Sequence, residues 1–122
     1  MHQILLVEDS EYLRKVIGFT LKQAGYGVTC AGDGVEALQL ASEQTFGVVV
    51  TDLNMPLMSG QDLIARLQEV PGYESVGVIC LTTETSQDEL PEQIKALVFA
   101  VVAKPFNPVE LLDQIELLVA AG

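Results

Sequence analysis

Ile4-Leu5-Leu6-Val7-Glu8-Asp9 and Val48-Val49-Val50-Thr51-Asp52 decide the fold, because each is a short apolar run that ends in acid. Continuous apolar runs of this length with β-branched residues read as strands buried on both faces, so the acids stand where each strand leaves its sheet. If the two strands are parallel neighbours, Glu8, Asp9 and Asp52 meet at one edge. Two unit charges about 4 Å apart at an effective dielectric near 20 repel by roughly 4 kcal/mol. Three gathered carboxylates therefore need a cation or a proton.

The rest of the chain alternates in the same way. After Ser10, an N-cap candidate, Leu13, Val16, Ile17, Leu21 and Ala24 recur at helical spacing until Gly25 supplies a stop. Tyr26, Val28 and Cys30 alternate with small or polar residues as in a half-exposed edge strand, and Gly32-Asp33-Gly34 turns into a helix carrying Val35, Leu38 and Ala41. A third strand runs from Gly47 to Asp52. Gly60 precedes a helix with Leu63, Ile64, Leu67 and Val70 on one side, ended by Pro71-Gly72. Val76 to Leu81 is strand-like. The region from Thr85 to Leu97 reads as helical, but Pro91 is tolerated only in a first turn, which predicts a short or late-starting helix. Val98 to Ala103 is the fifth strand, and Pro108 opens a last helix with Leu111, Leu112, Ile115, Leu118 and Val119 on its face.

Five strands alternating with five helices predict an α/β, flavodoxin-like (βα)5 three-layer sandwich with a parallel sheet in the order 2-1-3-4-5. In such sheets, ligands bind beyond the carboxyl ends of the strands where the order reverses, between the first and third strands. Glu8, Asp9 and Asp52 occupy those ends, with Thr82 and Lys104 following the fourth and fifth runs.

Composition narrows the function. The 122 residues, 49% hydrophobic, fit one domain spanning 1–122. A net charge of -11, with only six Lys and Arg, argues against nucleic acid as a direct partner. No stretch is long and apolar enough for a membrane span and no signal core leads the chain, which predicts a cytoplasmic protein. Cys30 and Cys80, with the single His2, make neither a disulfide framework nor a zinc site; both are expected to be buried free thiols.

An acid cluster with a hydroxyl and an ammonium suits a hard divalent cation plus a phosphoryl group, and few protein oxygens favour Mg2+ over Ca2+. A carboxylate can itself be the nucleophile, and Asp52 is the candidate. Asp52-Leu53-Asn54-Met55-Pro56 with Gly60, Glu8-Asp9, Thr82 and Lys104-Pro105 together resemble the motifs of bacterial two-component response-regulator receiver domains of the CheY-like kind, across essentially the whole chain. The strand order rests in part on that resemblance.

The resemblance implies that Asp52 is the phosphoacceptor and that Thr82 and Lys104 address the phosphoryl group. It implies Mg2+ held by Asp9, Asp52 and the backbone carbonyl of Asn54, with Glu8 acting through metal-bound water. Asn54 and Glu84 match positions that modify the rate of phosphoryl loss, and Lys104-Pro105 matches a cis peptide bond. Val101 stands at the switch position, where the family commonly has an aromatic; a β-branched side chain has no ring to swing, so coupling must differ. Leu97-Val98 replaces a frequent Gly-Ala pair, and Phe99 is either core or partner surface. The expected function is a stand-alone receiver, with no output domain, that accepts a phosphoryl group from a histidine kinase or phosphotransfer protein and switches the binding of a protein target, as a monomer or weak homodimer.

Three rival classes are weaker. An Asp-nucleophile phosphohydrolase needs a second acid where Asn54 stands. A flavin site needs phosphate-binding amides where Glu8, Asp9 and Glu11 would repel. A phosphorylation-independent interaction module of receiver fold draws on the altered fifth strand.

Overall fold

Apolar runs pair side by side in the computed structural model of the chain, which describes residues 2–53, 55, 57–83, 91–104 and 107–121, the side chains of Thr83, Lys104 and Ala121 excepted. Among these residues there are five strands, β1 (Gln3–Val7), β2 (Gly27–Ala31), β3 (Val48–Asp52), β4 (Gly77–Thr83) and β5 (Ala100–Lys104). They alternate with α1 (Glu11–Gln23), α2 (Gly34–Glu43), α3 (Gly60–Leu67), α4 (Glu92–Lys95) and α5 (Pro108–Ala121). All strand pairs are parallel, in the order β2-β1-β3-β4-β5. The order reverses between β1 and β3, where Val7 lies opposite Thr51.

The period-two alternation of a strand sends its side chains to two faces, and here both are covered. Leu5, Val7, Val49, Val78 and Cys80 pack with α2, α3 and Ile94 of α4. Ile4, Leu6, Val48, Val50, Ile79, Leu81 and Val102 pack with Ile17 and Leu21 of α1 and Leu111 and Ile115 of α5. Each side chain so enclosed contributes about 1.5–3 kcal/mol, so the middle strands are the anchor of the fold.

Caps set the helix limits. Ser10 accepts from Leu13 N at 3.2 Å, Asp33 from Glu36 N at 2.8 Å and Ser59 from Asp62 N at 3.1 Å. Gly25, at φ 97°, closes α1 in the left-handed region. Pro91 stands at the N-cap of α4, in keeping with the late start its sequence predicts; residues 84–90 lie outside the described residues.

Four expectations need correction. β4 runs on to Thr83, so Thr82 lies within the strand rather than after it. β5 begins at Ala100, because Leu97 and Val98 donate back to Ile94 O and Lys95 O and their apolar character serves a helix end. α3 stops at Leu67, three residues before Val70, which closes a turn onto Leu67 O. Cys80 is a buried free thiol, but Cys30 on the edge strand is an exposed one.

Candidate functional site

The register that pairs Val7 with Thr51 carries the chain one step further into Glu8 on one strand and Asp52 on its neighbour. Ligand oxygens of Glu8, Asp9 and Asp52 lie within 4.8 Å of one another. Glu8 is 1% exposed and Asp52 4%, whereas Asp9 is open to solvent, so the cluster has two buried walls and one exposed lip.

Local bonds fix this arrangement. Glu8 N donates to Ala31 O at 3.1 Å, which continues the β1–β2 pairing, and Ser10 N donates to Glu8 Oε2 at 3.0 Å. Arg14, one turn into α1, donates to the carbonyl oxygens of Glu8 at 2.8 Å and Asp9 at 3.2 Å. Across the edge, Leu53 N donates to Leu81 O at 3.3 Å, and Thr51 Oγ1 donates to Asp52 O at 2.9 Å. Gly60 N donates to Leu53 O at 3.0 Å, and a Cβ on Gly60 would lie 2.7 Å from Leu53 Cα and strike Asp52 O. Gly60 thus lets α3 start directly against the Asp52–Leu53 backbone. The connecting loop turns through Leu57 at φ 69°, an exposed Leu in the left-handed region.

On the next strand Thr82 follows Leu81, the register partner of Asp52. Thr82 is fully buried, and its Oγ1 has no hydrogen-bond partner among the described residues. An orphaned buried hydroxyl costs about 1–3 kcal/mol, so it stands ready for an acceptor from outside. Lys104 ends β5 opposite Thr83, at the same edge. Its side chain, together with Asn54, Glu84 and Pro105, lies outside what is described. Val101, expected from the sequence at the switch position, is half-buried and packs against the α2–α3–α4 side of the core. Phe99 is 46% exposed, while Leu97 and Val98 pack partly against that core.

The donor set fits a hard cation. An octahedral Mg2+ at about 2.1 Å from its oxygens spaces them roughly 3–4 Å apart, so carboxylates within 4.8 Å need little closing up. Burial, reinforced by the Asp52 charge, pushes the neighbouring Cys80 thiol up to about 12. That thiol is inert at neutral pH. Arg14 has no signature in the sequence, since one of several basic residues on an amphipathic helix gives no hint that its target is backbone.

The family model for the response regulator receiver domain matches residues 4–116. The chain is 34% identical to chemotaxis protein CheY1 of Helicobacter pylori over 122 residues, covering 98% of each. It is 33% identical to the probable transcriptional regulator ycf29 of Pyropia yezoensis, covering 98% of this chain and 54% of that protein, so it spans about half the length of that relative. The chemotaxis response regulator CheY4 of Vibrio cholerae superposes with a TM-score of 0.88 at 37% identity, covering 97% of this chain and 98% of that one. The receiver domain of a sensor histidine kinase from Pseudomonas aeruginosa, which has a magnesium ion coordinated in its active-site cleft, superposes with a TM-score of 0.87 at 28% identity, covering 98% of both.

Proposed function

The chain belongs to the response regulator receiver domain family, and on that premise we propose that it accepts a phosphoryl group on Asp52 from a histidine kinase or phosphotransfer protein. The observation that carries this reading is the convergence of Glu8, Asp9 and Asp52 at the point where the strand order reverses. An Asp52 carboxylate oxygen attacks phosphorus, the donor's phosphorus–nitrogen bond breaks, and the imidazole nitrogen leaves with the electron pair. Mg2+, when held by Glu8, Asp9, Asp52 and the carbonyl of Asn54, supplies positive charge to the phosphoryl oxygens. Thr82 donates its hydroxyl to one of those oxygens, and Lys104 offers its ammonium to another. Asn54 and Glu84 tune how quickly water removes the group.

The added charge and acceptor oxygens draw the Thr82 hydroxyl toward the phosphoryl group, changing affinity for a protein target. The readout runs through Val101 without an aromatic swing. We place the protein in the cytoplasm as a messenger or relay, with 1–122 as its receiver domain, monomeric or weakly dimeric. The match covers 98% of CheY1, which supports the messenger reading, and no described helix is long and apolar enough to cross a membrane.

The test is incubation with acetyl phosphate and Mg2+, read by intact mass, with Asp52→Asn alongside. One phosphoryl group on the parent and none on the variant supports the proposal; equal incorporation on both refutes the assignment of Asp52. Val101 favours one second reading, a phosphorylation-independent interaction module, which equal partner affinity before and after modification would establish.

A further inference from the structure

Arg14 is tied to the acid cluster by hydrogen bonds, yet neither of them goes to a carboxylate. Its Nη1 donates to Glu8 O and Asp9 O, and among the described residues it forms no ion pair with an acid. A guanidinium beside three carboxylates would ordinarily take a bidentate carboxylate pair and so block the oxygens a metal needs. Here the Arg14 donors go to main-chain oxygens instead, and the ligand atoms of the three acids lie within 4.8 Å of one another.

Two surrounding features hold it there. A Cβ on Gly32, at the start of the β2–α2 turn, would sit 3.2 Å from Arg14 Nη1, so the guanidinium occupies space that the glycine leaves open. Gly32 N is in turn fastened to Glu36 Oε1 at 2.7 Å. On the other side, Ser10 N holds Glu8 Oε2 while the Ser10 side chain caps α1. Arg14 therefore bolts the β1–α1 loop to its own helix, with the β2–α2 turn as a backstop.

Resting on the Mg2+ reading above, we propose that Arg14 is a positioning residue that sets Mg2+ affinity by fixing the Glu8–Asp9 backbone, rather than by its charge. Groups that orient metal ligands without touching the metal typically govern affinity by about tenfold or more. The two possible roles have opposite signs. A cation near the site repels Mg2+, so if charge dominated, its removal would tighten binding; if positioning dominates, removal loosens it.

The experiment titrates Mg2+ alone into the full chain and follows the amide signals of Glu8, Asp9 and Ser10 by NMR, with thermal midpoints of the metal-free proteins measured in parallel. Arg14→Met, which keeps the aliphatic stem, and Arg14→Lys, which keeps the charge but ends one bond short of the place Nη1 holds between the two carbonyls, are each expected to raise half-saturating Mg2+ about tenfold. Gly32→Ala, which crowds the guanidinium without removing it, is expected to raise it by about threefold. Tighter binding in Arg14→Met, unchanged binding in folded Arg14 variants, or full rescue by Lys would overturn the proposal. A parent chain whose Glu8, Asp9 and Ser10 signals ignore Mg2+ would overturn the metal reading itself, and this inference with it.

Discussion

Thr82 and Gly60 show how much of the site is decided by single atoms. The Thr82 hydroxyl is buried without a partner among the described residues. Its replacement by the isosteric Val removes a desolvated donor and leaves the packing intact, so Thr82→Val is expected to raise unfolding free energy by about 1 kcal/mol in urea titrations. The same variant is expected to lose most of the phosphorylation-dependent change in partner affinity; a destabilised Thr82→Val would show that the hydroxyl is satisfied after all. Gly60 acts through space rather than φ, since only Gly25 and Gly72 among the glycines described have positive φ. Gly60→Ala drives a methyl into the Asp52–Leu53 backbone and is expected to cost about 1–3 kcal/mol and to slow acetyl phosphate labelling of Asp52. A neutral effect on both would mean that α3 can slide. The acids were legible in the sequence because strand-end carboxylates have a pattern, whereas Gly60 reads as a helix start and part of the loop motif, and Arg14 carries no signature. Both act on main-chain groups just across a neighbouring turn, which hydrophobic periodicity does not encode.

At the scale of elements, the turns joining them carry bonds that periodicity does not show. Tyr73 lies after α3 and is fully buried; its hydroxyl donates to Gln44 O at 2.6 Å and accepts from Phe46 N at 3.0 Å. One phenol thereby fastens the lead into β3 to the lead into β4. Tyr73→Phe leaves both main-chain groups unpaired, and we expect a loss of about 1–3 kcal/mol, read as a lower urea midpoint with an unchanged slope. A variant as stable as the parent would indicate that water replaces the hydroxyl. Strands β1 and β3 were readable from their runs because a strand buried on both faces has no alternation to obscure it. The start of β5 was not readable, since Leu97 and Val98 are apolar for a helix end that packs on the core. Pro91 placed the beginning of α4 correctly, because a missing N–H is tolerated at a helix start and not inside.

At the scale of the molecule, the strand order makes its alkaline behaviour predictable. Burial, with the Asp52 charge adding to it, lifts the Cys80 thiol from 9.0 to about 12. Burial likewise raises the Tyr73 phenol. The folded chain keeps protons that the unfolded chain gives up, so this contribution is whole below pH 9 and drains away as pH climbs toward 12. At about 1.4 kcal/mol per pH unit for Cys80, urea midpoints are expected to fall steadily above pH 9, and Cys80→Ala is expected to flatten most of that fall from a lower starting stability. A parent chain with level midpoints to pH 11 would contradict the enclosed thiol. The same order also grades the site by its resistance to fraying. Asp52 closes the middle strand, held on both sides, while Lys104 and the Gly32 backstop of Arg14 ride at the two margins. Gentle heating is therefore expected to loosen the marginal strands while Asp52 is still seated, and under the proposed phosphoacceptor role a warmed preparation would lose labelling before it lost its spectrum.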